Sequence, residues 1–494
     1  MRRLTYCLLA GFLLPCGAPV AAQVAAGKAL QRDLDHLLTD HGQRGARFGG
    51  HVMDIAGGRV LYAHDAYQPL IPASNMKLVV IAAAMSNLGI DFEFATTLSV
   101  VGQDLVIVGG GDPTFGDERL AAERNVPITA VFHDWADKLK AAGVRRVAGD
   151  IVIDDSIFDQ NFVHPNWPSD QFQAWYEAPI GGLNFNANCI AVSIRPADGG
   201  RQPIAQFIPG NTLLRLVNRT TTAKKQTVVA SRPRNKNDVI VSGGVARPAV
   251  LGPLTVPDPG LYFGYVFKTV LASKGIPLDG RVIRRKVDKD GDFRPLGGHL
   301  VAEHRAPILD ATRRAGRQSL GMMAEGLLKT MGLRASGAAS WTSGQLAVVR
   351  FLANIGIDTA EVAIDDGSGL SRQNRLSAAA TTRVLRQMFI SSPPVAKAFR
   401  ESLAQPGRDG TLKKRLTAPH IKDRVFAKTG YINGVRTLAG YVQTRSGQWL
   451  AFAFYYNGAG KTRPLTKRQD QAIEALVNWN DGAAAAPVRT GNAP

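Results

Sequence analysis

The chain has 494 residues, of which 45% are hydrophobic, a formal net charge of +19, and three cysteines. That apolar share excludes a disordered chain, and the length allows two or three domains. No internal run reaches membrane-spanning length.

At the N-terminus, Arg2 and Arg3 precede the apolar run Leu8 to Leu14, and Val20-Ala21-Ala22 offers small residues before Gln23. This pattern predicts a secretory signal over residues 1–22, hence a periplasmic protein. A lipoprotein signal fits less well, because Pro15 stands where a small residue should precede Cys16. Cys7 and Cys16 leave with the signal, so the mature chain keeps Cys189 alone and has no internal disulfide. Cys189 lies in the alternating segment 186–192, where a buried small hydrophobe is a simpler reading than a catalytic thiol.

Residues 27–41 carry helical periodicity through Leu30, Leu34, Leu37 and Leu38. Phe48 to Ile55, a Gly57-Gly58 turn and Val60 to His64 read as a hairpin. Ser74 to Leu88 is apolar on all sides, which predicts a helix buried at a domain centre. From about 95 to 300 the sequence reads as strands, turns and prolines with few long helices. Basic residues gather there at Arg215, Arg219, Lys224, Lys225, Arg232, Arg234 and Lys236, and again at Arg281, Arg284, Arg285 and Lys286. An exported chain without a nucleic-acid motif argues against a nucleic-acid partner. Peripheral contact with an anionic wall or membrane surface fits better, beside a merely solvated basic face. Leu309 to Phe399 is mostly helical by periodicity. Arg424 to Gly430, Val435 to Thr444 and Trp449 to Tyr456 read as strands around an Asn433-Gly434 turn, before a closing helix from Leu465 to Trp479. Five strands from the two ends are therefore expected to make one antiparallel sheet. The tail from Asp481 is low in complexity and is expected to be disordered.

Two short motifs carry chemistry. Ser74-Asn75-Met76-Lys77 puts a hydroxyl at a helix N-terminus, where developing negative charge is favoured, with Lys77 one turn on and on the same face. Burial and a second cation would lower the pKa of Lys77, leaving an amine able to take the Ser74 proton. Near the other end, Lys428-Thr429-Gly430 offers a cation and a strand edge to which a substrate backbone could pair. Lys428 and Thr429 would hold a substrate carboxylate, and the N–H groups of Ser74 and Tyr431 would form an oxyanion hole. Each motif alone is also an ordinary cap or edge-strand lysine; their order and range make the pair specific. No G-x-S-x-G elbow is present, and the nine histidines show no metal spacing, so neither a metal nor another cofactor is expected.

Across about residues 45–480 the sequence resembles the low-molecular-mass, class C penicillin-binding proteins, which are D-alanyl-D-alanine carboxypeptidase/endopeptidases. The resemblance rests on ordered blocks: residues 72–78, Gly109 to Thr114, Asp154 to Phe158, Trp175 to Pro179, Asp366 to Arg372, Gly410 to Leu412 and Lys428 to Gly430. It implies an α+β fold, in which a transpeptidase or serine β-lactamase-like domain (23–95 and 301–480) with a five-stranded antiparallel sheet and a helical subdomain is split by a β-rich insertion (96–300). It implies peptidoglycan stem peptides as substrates and β-lactams as covalent inhibitors. Arg372 would face the acidic side chain of the peptide, and Asp155 would line the same groove.

One departure stands out. The second motif of the family is Ser-x-Asn followed by an Ala-Glu element, and the matching stretch here is Ser319-Leu320-Gly321 before Ala324-Glu325. Ser319 would relay a proton between Lys77 and the leaving amine. Gly321 lacks the amide that would bind substrate and the catalytic lysine. The expectation is a serine DD-peptidase acting through a Ser74 acyl-enzyme. The rival is a peptidoglycan-binding paralogue of low or no activity, and a β-lactamase is a third, weaker reading.

Overall fold

The computed structural model describes residues 20–39, 45–234 and 236–480. Most of the expected leader, residues 1–19, and the whole expected tail, 481–494, lie outside these.

The two ends of the chain share one antiparallel sheet, in the order Val425–Ile432, Val435–Gln443, Trp449–Asn457, Arg47–Asp54, Val60–His64. Gly434, at φ +76°, makes the tight turn between the first two strands. The strands from opposite ends meet in continuous register, from Arg47 opposite Asn457 to Asp54 opposite Leu450. The strand at 449–457 shows why the sheet is covered on both faces. Leu450, Phe452, Phe454 and Tyr456 pack with Leu30, Leu34 and Leu38 of the Val20–Thr39 helix and with Ile473 and Leu476 of the Arg463–Asn478 helix. The alternate residues Ala451, Ala453 and Tyr455 pack on the opposite side, where the Ala378–Phe389 helix lies on the strand and Thr381 pairs with the Tyr455 hydroxyl at 2.7 Å. A period of two along a strand gives two packed faces, and the small alanines let that helix approach closely.

The helix 76–88 is buried from Met76 to Met85. Around it stand Ile308–Arg317, Gly321–Ser336, Trp341–Asn354, Ala378–Phe389 and Pro393–Glu401, the helical layer expected from the periodicity of that stretch.

Between Phe92 and Ile308 the chain builds a second layer. Glu93–Val101 and His299–Pro307 pair along their length, so departure and return lie side by side; Ile308 N donates to Phe92 O at 2.9 Å. The divisions expected at 95 and 301 thus fall inside a strand pair. These two strands join Asp104–Val108, Ile151–Asp154 and Val282–Arg284 in a mixed sheet, and two three-stranded sheets follow. The block is also less purely β than expected. Helices Ala130–Ala141 and Pro259–Ser273 pack Phe132, Trp135, Phe263 and Phe267 into its core. The 259–273 helix starts with an Asp258 cap on Leu261 N and Pro259 in its first turn. Its apolar run from Leu261 to Phe267 hides a helical period from a sequence reading, because polar residues enter only at Lys268 and Thr269.

Candidate active site

The turn that carries Ser74 is strained. Ala73 is held at φ +46°, and the short 3-10 turn Ala73–Asn75 leads directly into the helix at Met76. Gly369 lies against this turn: a Cβ there would meet the Ala73 carbonyl at 1.8 Å. Non-glycine residues in the left-handed region cost of order 1–3 kcal/mol and are kept where surrounding structure over-determines them. Here the bend brings Ser74 Oγ to 3.3 Å from Lys77 Nζ, one turn along the same face. Asn75 points inward instead. Its amide donates to the Lys428 carbonyl at 2.9 Å and accepts from Ala439 N at 3.2 Å, tying the head of the helix to the edge strand 425–432 and its neighbour 435–443.

Lys77 is 2% exposed and donates to the Ser368 carbonyl at 2.5 Å. Burial pulls its ammonium down to about 8, against the opposing charges of Asp366 and Glu325. Part of the population therefore carries a neutral amine near neutral pH, as a base for Ser74 requires.

Lys428 comes from the Val425–Ile432 strand and is fully buried. Burial, then the charge of Lys77, hold its ammonium well below the usual lysine range. It donates to Ser319 Oγ at 2.8 Å and to the Thr429 carbonyl at 2.8 Å. The Ser319 hydroxyl is thus held by the lysine of the distant strand. Gly430 is set by crowding: a Cβ there would lie 2.0 Å from Thr437 Oγ1, which donates to the Pro72 carbonyl just before the nucleophile turn.

These groups open into a cavity of about 640 Å³. Ser74, Lys77, Ser319, Gly321, Arg372, Thr429 and Tyr431 line it from the sheet and helical layer. Pro168, Gln171, Trp175 and Tyr176 close the facing wall from the 93–307 block. Tyr431 is 58% exposed at the mouth, with the Arg436 guanidinium 5.0 Å from its ring centroid. Arg372 also reaches the mouth, where it donates to the Asn433 carbonyl at 2.8 Å. An open depression of similar size, about 650 Å³ at Lys461–Lys467, is lined by none of the motif residues and is not the site.

Asp155 departs from expectation. It does not line the cavity; it is buried at 3% exposure with both carboxyl oxygens on Arg284, which also binds Asp258. A buried carboxylate already paired with a half-buried guanidinium fork is committed to the fold of its block. Cys189 is buried, and burial pushes its thiol up to about 12, which fits a packing residue.

The sequence reading missed the frame behind the lysine. Asp366 accepts from Gly369 N, Leu370 N, Ser371 N, Ser368 Oγ, Asn374 Nδ2 and the indole N–H of Trp167. This folds residues 366–371 into a tight loop and turns the Ser368 carbonyl toward Lys77. Glu325 supports the same loop from the Gly321–Ser336 helix. Asp-Gly-Ser-Gly was visible as a turn-forming string, but which carbonyl it presents depends on tertiary contacts.

Gly321 faces the cavity with no side chain. A Cβ at this position would stand 3.2 Å from the Tyr176 carbonyl and 3.3 Å from Ser368 Cβ, so space for a larger residue is tight but not closed.

A helix-borne serine–lysine pair, a serine from the helical layer and a Lys-Thr-Gly strand, all around one cavity, define a penicillin-binding-protein-like serine peptidase. Residues 30–480 match the model of the D-Ala-D-Ala carboxypeptidase 3 (S13) family, and the chain belongs to that family. It is 33% identical over 488 residues to a D-alanyl-D-alanine carboxypeptidase of Actinomadura sp. (strain R39), covering 92% of this chain and 87% of that one. A second relative, D-alanyl-D-alanine carboxypeptidase DacB of Haemophilus influenzae, is 25% identical over 456 residues, with 87% and 90% covered. The fold matches the crystal structure of penicillin-binding protein 4 (DacB) from Haemophilus influenzae with a TM-score of 0.72, at 23% identity, covering 90% of this chain and 99% of the other.

Proposed function

We propose that this chain is an exported serine DD-peptidase that cleaves D-Ala-containing peptidoglycan stem peptides through a Ser74 acyl-enzyme. One observation carries the reading: the 3.3 Å Ser74–Lys77 contact and the 2.8 Å Lys428–Ser319 contact open into the same cavity. Ser74 Oγ attacks the carbonyl carbon of the scissile peptide while its proton passes to Lys77 Nζ. The N–H groups of Ser74 and Tyr431 receive the oxyanion. Collapse breaks the C–N bond, and the proton taken by Lys77 reaches the departing amine through Ser319, which accepts one proton as it gives one and is held in place by Lys428. Water then hydrolyses the ester and returns Ser74. Carboxypeptidase and endopeptidase action differ only in which amine departs, and the open mouth at Arg372 and Tyr431 is compatible with both. The hydroxyl of Thr429 in the cavity wall, with the N–H donors of Lys428 behind it, suits a substrate carboxylate.

β-Lactams would acylate Ser74 by the same attack, and the Haemophilus influenzae penicillin-binding protein 4, 22% identical with a TM-score of 0.67, has a crystal structure complexed with a β-lactam. Fluorescent penicillin should label the purified wild type and not Ser74→Ala. An unlabelled wild type, or an equally labelled variant, refutes the reading. The basic surface suits an anionic wall, and the expected signal over 1–22 would carry the chain to it.

Gly321 motivates a second reading, a wall-binding paralogue with weak turnover, because the cavity lacks one positioning amide. Digestion of cross-linked peptidoglycan decides between them. Ser74-dependent release of D-alanine or cleavage of cross-links ends the second reading; intact muropeptides with retained binding would end the first.

A further inference from the structure

Glu325 does not line the cavity. It sits in the Gly321–Ser336 helix, fully buried, one turn beyond the cavity-lining Gly321. Its carboxylate has three donors: Ser368 N to Oε1 at 2.7 Å, and Gly367 N and the Trp341 indole to Oε2 at 3.0 and 2.9 Å. A buried carboxylate is costly unless so satisfied. The residue whose N–H it grips is the one whose carbonyl receives Lys77 Nζ. Gly367 permits this approach, since a Cβ there would lie 2.8 Å from the Ala324 carbonyl.

The charges around this unit come from each element packed on it. Lys77 lies on the central helix, Lys428 on the 425–432 strand and Asp366 in the loop itself. Lys329, one turn along, lies over the Trp341 ring at 3.8 Å and is neutralised by Asp159 at 2.7 Å. Glu325 and Asp366 thus oppose the discharge of Lys77 that burial favours, and burial with the Asp366 charge lifts Glu325 itself to about 7.

We propose that Glu325 is a positioning residue for the Ser74–Lys77 pair: by fixing the Gly367–Ser368 backbone it makes the Ser368 carbonyl hold one amine hydrogen of Lys77 and leaves the lone pair aimed at Ser74 Oγ. A neutral amine has two hydrogens and one lone pair, so fixing one hydrogen at the Ser368 carbonyl stops rotation about Cε–Nζ and leaves two sites, of which the one facing the Ser74 hydroxyl donor takes the lone pair. The charge of Glu325 also sets the pH at which that amine becomes available. The inference rests on the nucleophile and base assigned above.

The test is acylation of full-length wild type, Glu325→Gln, Glu325→Asp and Trp341→Phe by a chromogenic β-lactam across pH 6–10, with thermal unfolding of each. Glu325→Gln should acylate about 10- to 100-fold more slowly, because misplacing a reacting group by about an ångström costs up to that factor. Its acid limb should move to lower pH, because the group that raised the Lys77 pKa has lost its charge. Glu325→Asp keeps the charge but falls a methylene short, so it should be slower with an unmoved limb. Trp341→Phe keeps both backbone donors and should stay within about threefold of wild type. A wild-type rate in Glu325→Gln, or a slowed rate with an unmoved limb, overturns the inference. If Glu325→Gln gives no cooperative melt, Glu325→Asp decides: an undiminished rate overturns it and a slowed rate with an unmoved limb supports it. Failure of wild type to acylate, or labelling of Ser74→Ala, strikes the underlying assignment instead.

Discussion

Lys428 Nζ donates to Ser319 Oγ at 2.8 Å, and Ser319 itself sits at φ +64° in the three-residue joint between the helices ending at Arg317 and beginning at Gly321. A serine in this conformation is strained, and the strain turns its hydroxyl onto the lysine of the far strand. The second motif is therefore a bent joint whose geometry is paid for in stability.

That cost can be measured. Ser319→Gly and Ser319→Ala remove the same hydroxyl, but only glycine relieves the left-handed backbone. Both should lose acylation by about 100-fold or more, on the scale of losing a proton-transfer group. The glycine variant should melt above the alanine variant by about 0.5–1 kcal/mol in calorimetry. An alanine variant as stable as the glycine one would show that the joint is not strained.

The rate of β-lactam acylation should depend on pH through Lys77. Its ammonium is pulled down to about 8 by burial, and the attack needs the neutral amine, so the rate should climb as pH rises through about 8 and level above it. Lys77→Arg keeps the positive charge but cannot deprotonate, and should lower the rate by about 100- to 10,000-fold at every pH. Stopped-flow acylation across pH 6–10 measures both.

Gly321 is open to direct repair. Gly321→Asn returns a positioning amide but must displace the Tyr176 carbonyl or Ser368 by a few tenths of an ångström. Acylation should rise about tenfold while stability falls by about 1 kcal/mol. Gly321→Ala, which has the crowding without the amide, should show the stability loss with no gain in rate.

Glu177 offers a stability test in the wall of the site. Its Oε1 is buried without a hydrogen-bond partner, and burial, with the Asp170 charge, lifts its carboxyl to about 7. A carboxyl raised in the folded state contributes stability that is fully present below its unfolded value and lost as pH rises through about 7. Glu177→Gln escapes that loss. Its melting temperature relative to wild type should therefore be higher at pH 8 than at pH 5, by the equivalent of about 1–3 kcal/mol. A pH-independent difference would show that the Glu177 carboxyl ionises in the fold as readily as in the unfolded chain.

The central sheet was legible because its strands are short, mostly apolar runs bounded by turns that carry Asn433-Gly434 and Gly57-Gly58, local signals that survive in any context. The central helix was legible for the opposite reason: a run apolar on every side can only be buried. The 93–307 block was read less well. Its 259–273 helix opens on a long apolar run and lies among short strands that suggested more of the same. Asp155 was misplaced because a sequence motif gives a residue's neighbours in the chain and not its ion partner, and Arg284 comes from a strand more than a hundred residues away.

Sequence alone determined which groups are available: one serine with a lysine a helical turn on, a lysine on a small-residue strand, a serine without its companion asparagine. Those are properties of residue type and spacing, set by the 3.6 period of a helix and the two-fold period of a strand. Tertiary structure decided which way each group faces and how charged it is. Burying Lys77 and Lys428 side by side lowers both, and Glu325 and Asp366, from different elements, limit how far Lys77 falls. Desolvation and long-range charge depend on what surrounds a side chain in three dimensions, and no local pattern encodes that.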